Sequence, residues 1–288
     1  MKRIVRMMGL CALVMLAVVS CKKNEESAVM TFRATINQPT SDAKTYLGSD
    51  HYLYWNSGDA IKVFAIDEND TTSAVFTTQD NAVKVANFSG NIAQSENYYA
   101  MYPAGMFSDI IDNETRITAT ISPTQQFVAN GFATNTYPMG ARIVDGSLDF
   151  EFQGLFGLLA IPMKGNVTIG SIELTDALFN LWGDVIVKIN SMDGKGDNNY
   201  IKEDPDSRSD EKTITLECGD EGFTLSEEPD TVYFVLRPLA CAYGFTITVK
   251  DLSGETLFTK SAPQNLSNAI KPQHILLMPE VEITVNEP

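Results

Sequence analysis

From Val29 onward the apolar residues of this chain alternate with polar ones instead of recurring every three or four positions. In Val29 to Ile36, the residues Met30, Phe32, Ala34 and Ile36 fall on one face of an extended segment and Val29, Thr31, Arg33 and Thr35 on the other. Side chains along a strand point alternately to its two faces, so this pattern predicts a half-buried β-strand. Short apolar, β-branched or aromatic runs follow at Tyr52 to Trp55, Ala60 to Ile66, Ala82 to Phe88, Tyr98 to Tyr102, Leu155 to Met163, Thr168 to Leu174, Val185 to Ile189, Val232 to Leu236, Phe245 to Val249 and Ile275 to Met278. Turn residues separate them, which is the strand signature. Only Gln264 to Ile270 hints at a helical turn. Many short strands without intervening helical periods predict an all-β chain of antiparallel sandwiches.

Two features recur in the same order. Trp55, Gly58, Asp59, Ile61 and Val63 are echoed by Trp182, Gly183, Asp184, Ile186 and Val187, with a shorter gap between tryptophan and glycine. Tyr98 to Pro103 is echoed by Tyr233 to Pro238, each a strand running into proline. Offsets of 127 and 135 residues suggest two modules of ordinary domain size. Asp145 and Gly146 form a turn signal between them, so the expected division is an N-terminal sandwich over 29–146 and a C-terminal one over 147–288.

The segment before Val29 reads differently. Lys2, Arg3 and Arg6 precede thirteen uncharged residues, Met7 to Val19. That run is shorter than the roughly 20 residues a membrane-spanning helix needs, and it has the form of a signal peptide over residues 1–20. It ends in Val18, Val19, Ser20 and Cys21, which resembles the lipobox of bacterial lipoproteins. Cys21 is therefore the expected site of lipid attachment, and residues 21–28 a polar leash between lipid and fold. Among 288 residues there are 21 Lys plus Arg against 37 Asp plus Glu, a net −16. Removing residues 1–20 takes away three cations and no anion, leaving a net −19. So little positive field cannot hold a phosphate backbone, and nucleic acid is excluded as a partner.

Catalytic chemistry is poorly supplied. A nucleophile activated by a base needs a histidine near it and a third group to orient that histidine. The two histidines, His51 and His274, each start a strand run, and neither has a glycine-flanked serine elsewhere to serve. Asp193 to Asn199 resembles a calcium loop, but Lys195 stands at a ligand position and Asn198 where the sharp turn wants glycine. With Glu203, Asp204, Asp206, Asp210 and Glu211 it reads as an acidic surface loop. No catalytic residue, metal or cofactor is expected, and the chain does not read as an enzyme. Trp55 to Asp59 reads as a hairpin signal, with Gly58 free to take positive φ and Asp59 able to cap the turn.

The order of these segments resembles the fimbrillin-like lipoproteins of Gram-negative gut and oral anaerobes. The residues that carry the likeness are the lipobox at Cys21, the strand ending at Ile36, Lys44-Thr45 ahead of Trp55 to Asp59, and Ile61 to Phe64. Further along come Tyr98 to Pro103, Gln125 to Met139, Phe150 to Phe152 into Leu158 to Ile161, Ser171 to Leu174, and Tyr233 to Pro238 before Gly244. The resemblance implies two tandem transthyretin-like β-sandwich domains and an outer-membrane, surface-exposed location, the chain held to the membrane by lipid at Cys21. It further implies assembly with other fimbrial subunits, or with itself, into a fimbria that serves adhesion. In that family a protease removes the leash and first strand, and a strand of another subunit fills the groove; Arg33 and Lys44 are the basic residues near such a cut. Arg33 lies inside the expected strand, so cutting there requires the strand to fray. The alternative is a monomeric surface lipoprotein that binds a glycan or host protein through its loops.

Two further expectations concern the second half. If Thr213 to Glu217, Thr231 to Arg237 and Tyr243 to Lys250 form a meander, Cys218 and Cys241 lie at opposite ends of it, roughly 17 Å apart. That is beyond the limit of about 7 Å between Cα atoms for a disulfide, so they are expected as unpaired, buried thiols. After Pro279, which cannot donate to a ladder, Val281, Ile283 and Val285 alternate with Glu282 and Thr284. Such a segment suits either a strand donated to another subunit or an edge strand of its own domain.

Overall fold

The computed structural model of the chain describes residues 27–41, 52–67, 71–110, 116–143, 146–188, 201–203 and 212–284. Among them are strands, two short 3₁₀ turns at Ala104–Met106 and Leu266–Asn268, and no α-helix. The second turn lies inside the segment expected to be helical, its start capped by the Asn265 side chain accepting from the Ser267 N–H. The first strands are β1 (Ala28–Ile36), β2 (Thr40–Ser41), β3 (Ala60–Ile66), β4 (Thr71–Thr77), β5 (Val85–Ile92) and β6 (Tyr98–Tyr102). Next come β7 (Arg116–Ile121), β8 (Thr124–Val128), β9 (Gly131–Phe132), β10 (Met139–Ile143), β11 (Asp149–Gly154) and β12 (Gly157–Gly165). They are followed by β13 (Thr168–Ile169), β14 (Ser171–Asp176), β15 (Gly183–Lys188), β16 (Ile201–Glu203), β17 (Thr213–Glu217) and β18 (Phe223–Thr224). The last are β19 (Asp230–Leu236), β20 (Phe245–Lys250), β21 (Thr256–Ala262), β22 (His274–Leu277) and β23 (Val281–Ile283).

Seven strands close a barrel in the order β1-β11-β10-β6-β3-β4-β5. Every pairing in it is antiparallel except β1 with β11. Closure leaves no exposed ladder edge. The alternation along β1 is observed: Phe32, Ala34 and Ile36 are buried while Val29, Thr31 and Arg33 are exposed. Phe32 meets Phe150 at 4.8 Å, Tyr98 at 4.9 Å and Phe76 at 5.3 Å between ring centroids. Trp55 meets Phe88, Tyr102 and Phe152 edge-on at 5.0 to 5.3 Å. These T-shaped contacts suit aromatic quadrupoles and add to the area each ring buries.

A second sheet, β19-β12-β22-β2 with β23 also on β12, is apolar on both faces. Leu158, Ala160, Tyr233, Val235 and Ile275 join the core of the barrel. Leu159, Ile161, Met163, Val232, Phe234 and Leu236 join a second core. A strand buried on both sides reads as a continuous apolar run, which is why Leu158 to Met163 and Val232 to Leu236 show no polar alternation. The other wall of the second core is the sheet β21-β20-β14-β17-β8-β9, which supplies Ile172, Leu174, Ile214, Leu216, Ile247 and Val249. A three-stranded sheet, β16-β15-β7, adds Ile117, Ala119, Ile121, Val185 and Val187 to the barrel's core.

Several expectations are corrected here. Tyr52 to Tyr54 form no strand, and Trp55 makes only an isolated bridge to Val83. The meander around the cysteines does not form: β14 lies between β17 and β20, and β19 belongs to the two-faced sheet. Cys218 and Cys241 are nevertheless unpaired, Cys241 buried as expected and Cys218 only half-buried, at the margin of the second core. The two echoes part company as well. β3, after the first Trp-Gly-Asp motif, lies beside β6, whereas β15, after the second, lies beside β7 and β16 and not beside β19. Pairing of β7 with β15 and of β8 with β17 also crosses the division expected at residues 146 and 147.

Candidate functional site

β1 is a stave of the barrel held on both sides. Its eight residues from Ala28 to Thr35 pair with β5, and Arg33 to Ile36 pair with β11. Arg33 sits in the middle of this ladder, its backbone N–H donating to the Leu148 carbonyl at 2.8 Å. Its guanidinium reaches the Asp149 carboxylate at 3.4 Å, with both side chains more than half exposed. Past β1 the chain crosses to the two-faced sheet: Gln273 donates to the Asn37 carbonyl at 3.0 Å, and β2 pairs with β22. Gln38 fastens this crossing, accepting from the Leu53 N–H and donating to the carbonyls of Ile36 and Leu53. Cys21 and Lys44 lie outside the described residues.

β23 lies against the far part of β12, parallel to it, with Met163 opposite Val281 and Gly165 opposite Ile283. Val281 and Ile283 are buried in the second core. A Cβ on Gly165 would run into the Ile283 carbonyl, so the close approach of the two strands requires glycine there. Lys164 holds the flank through Glu280 at 2.8 Å and Glu282 at 3.8 Å. In this structure the segment completes the second core of its own chain; Val285 lies outside the described residues.

The Trp55 to Asp59 segment forms a turn but not the expected hairpin, since no strand precedes it and Trp55 bridges Val83. Gly58 takes φ of 91°, and Asp59 accepts from the Asn56 N–H at 2.8 Å and from the Tyr102 hydroxyl at 3.1 Å. The Trp55 indole donates to the Ala34 carbonyl at 3.0 Å. Burial, and then the nearby Asp59 carboxylate, push the Tyr102 pKa up, so the phenol stays protonated and able to donate. The backbone of Asn135, in the loop after β9, lies close enough to the phenol to offset part of this rise.

That loop forms one side of a cleft of about 630 Å³ between the barrel's end, the β8–β9 hairpin and the two-faced sheet. Tyr52, Tyr54, Phe132 and Tyr137 are among its walls, together with Asn56, Thr134 and Asn135. Sequence reading does not find it, because its lining comes from segments scattered from Ile36 to Ile275. A buried carboxylate was missed too. Asp176 accepts from the N–H groups of Leu178, Phe179 and Cys241 at 2.7 to 2.8 Å, fastening the turn after β14 to the turn before β20. Only its place between apolar Leu174 and Ala177 could have pointed to it. Among the described residues no group of three His, Cys, Asp or Glu could hold a metal ion. His274 opens β22; His51 and the loop over 193–199 lie outside the described residues.

No family model and no curated protein sequence matches the chain. Solved structures do. A candidate cell adhesion protein from Bacteroides uniformis matches with a TM-score of 0.53 and 15% identity over 90% of this chain and 93% of that one. Another from Bacteroides ovatus matches at 0.49 and 15% identity, over 88% and 92%. A fimbrial protein from Bacteroides ovatus matches at 0.42 and 10% identity, covering 87% of this chain and 49% of that one. The first of these shows a likeness of fold; the other two, at lower scores, carry no further argument.

Proposed function

We propose that the chain is a subunit or anchor of a fimbria-like surface polymer, exported behind the signal peptide over residues 1–20 and held to the outer membrane by lipid on Cys21. It is a structural and adhesive protein built as two transthyretin-like halves, the barrel half drawing β11, β15 and β16 from after residue 146 and the other half β8 and β9 from before it. The observation that supports this reading best is the position of β1. It is the one stave of the barrel that a single cut between β1 and Trp55 would free, since everything after that cut stays joined to the rest of the chain.

Losing β1 removes Phe32, Ala34 and Ile36 from the interior and leaves β5 and β11 with unpaired edges facing an apolar trough. A supplied strand with apolar residues at alternate positions satisfies both deficits. Val281, Ile283 and Val285 have that pattern, and β23 is short, paired with a single strand. Exchange joins copies head to tail, which builds open polymers. A cut at Arg33 would have to break a ladder bonded on both sides, so Lys44 is the better site for processing.

The test is to recover the protein from sheared surface material, sequence its N-terminus and examine the particles by electron microscopy. The expected result is a chain that begins after Lys44 or Arg33, in ladders that Ile283→Asp abolishes, beside an unprocessed pool carrying lipid on Cys21 by mass spectrometry. A chain that keeps β1 and stays monomeric on the surface would overturn the assembly reading.

A further inference from the structure

We infer that the cleft between the barrel end and the two-faced sheet is a binding site for a neutral oligosaccharide. Its volume of about 630 Å³ lies in the range of small-molecule sites. The chain carries a net −16, yet among the described residues lining the cleft there is no charged side chain. What lines it instead is the pairing of groups a sugar ring needs: aromatic planes for its C–H faces, amides and hydroxyls for its O–H groups.

Tyr52 stands half exposed at the mouth. The Lys84 ammonium lies 3.2 Å from the centroid of its ring and so holds the ring in place by a cation–π contact without itself lining the cleft. Phe132 packs on Tyr137 at 5.5 Å, and Tyr137 is anchored by its hydroxyl donating to the Phe156 carbonyl. The polar rim is exposed at Thr134 and Asn135. Asn135 lies beside Tyr102 on the cleft wall, with its amide side chain exposed to a ligand.

A second observation concerns the backbone. Ala82, Asn130 and Asn135, at φ of 55°, 57° and 61°, all line the cleft. The left-handed region is unfavourable for alanine in particular, and such conformations gather at binding sites, where the surrounding structure holds them. Asn130 is held by Thr231, the two exchanging backbone and side-chain hydrogen bonds at 2.8 and 3.1 Å. The walls are thus set before any ligand arrives, which lowers the entropic cost of binding. Its aromatic walls belong to neither β1 nor β23, but Ile36 of β1 and Pro39 also line it, so the uncut chain is the one to test.

The experiment uses the uncut chain on an array of neutral, sialylated and sulfated oligosaccharides. Retention of neutral glycans is expected, insensitive to added salt because no ion pair forms. Tyr52→Ala and Phe132→Ala should each lower it about ten-fold, the exposed Tyr52 variant with a thermal melt that superimposes on the parent's, while Tyr243→Ala, an exposed aromatic outside the cleft, should leave it unchanged. No retention of any neutral glycan, retention of anionic ones alone, or retention indifferent to both cleft variants would overturn the inference. So would binding of proline-rich peptides in place of glycans, since aromatic grooves also take that helix.

Discussion

Trp55 to Asp59 and Trp182 to Asp184 share their letters and differ in nearly everything those letters do. Trp55 is 1% exposed, touches three aromatic rings and donates its indole N–H to Ala34. Trp182 is half-buried at the margin of the same core, and its buried indole nitrogen finds no partner among the described residues. Asp59 takes one backbone N–H and one phenol from inside the protein; Asp184 takes the exposed hydroxyl of Thr120 at 2.7 Å. Both glycines turn the chain, with φ of 91° and 100°. The motif encodes a turn ahead of a strand. What the tryptophan and aspartate contribute depends on the surroundings into which that turn delivers them.

The comparison predicts unequal costs. Trp55→Ala should destabilise the protein by about 4 kcal/mol, and Trp182→Ala by about 1 to 2 kcal/mol, since only the first empties a closed core. Urea denaturation of the two variants checks this, and equal losses would mean that the second tryptophan is packed as the first is. Trp182→Phe sharpens the contrast, because it removes an N–H whose burial is uncompensated and should be close to neutral.

Next in size, Asp59→Ala should cost about 2 kcal/mol by stranding the buried Tyr102 hydroxyl and a half-buried N–H, against about 0.5 kcal/mol for Asp184→Ala. The same denaturation curves decide it.

The comparison extends to the two cores. Trp55 and Trp182 report on the barrel's core, while Cys218 and Cys241 contact the second. Burial, then the Asp176 carboxylate, raise the Cys241 thiol, and burial, then Glu217, push Cys218 up to about 12. Neither thiol should alkylate at pH 8 in the folded chain. Because β12 and β19 are walls of both cores, neither core survives without the other. Tryptophan fluorescence and mass-spectrometric labelling of Cys218 and Cys241 should therefore change at the same urea concentration, and labelling that clearly precedes the fluorescence change would show separable halves.

The smallest expected effect is on the barrel surface. Hydrogen bonds from Lys62 and then Ser73, with the Lys62 charge, hold the Asp109 carboxyl below its usual range. A lowered folded pKa means stability present above the unfolded value and lost as pH falls through the folded one, so the loss is confined to below about pH 4. The Asp109 side chain is 77% exposed, which keeps the effect small. The urea midpoints of Asp109→Asn and the parent should differ slightly at pH 6 and converge at pH 3; a gap that widens on acidification would reverse the assignment.

Parts of this molecule are legible in its sequence. The alternation over Val29 to Ile36 gives the inward residues of β1 one by one, and the turn at Gly58 and Asp59 is read from its residue types. The 3₁₀ turn at Leu266–Asn268 is also foreseen. Other parts are not. The echo of Trp-Gly-Asp suggests a repeated plan because turn chemistry is local and recurs wherever a hairpin is needed. The cysteines are unpaired, though the meander argument for it fails, since spacing along the chain does not say that β14 slips between β17 and β20. The cleft is illegible for the same reason.

By itself, then, the sequence determined the all-β class, most strand positions, the inward face of the half-buried strands and the turns between them. All of these follow from the two-residue period of side chains and from the conformational preferences of glycine, asparagine and aspartate within a few positions. Only the tertiary structure decided which strands became neighbours, that β12 and β19 are covered on both faces, that β7 reaches across to β15, and that an aromatic cleft opens where the sheets meet. Backbone ladder bonds are nearly indifferent to residue type, and an apolar face specifies that it must be covered without specifying by what. The choice among coverings is made by the packing of the whole chain at once.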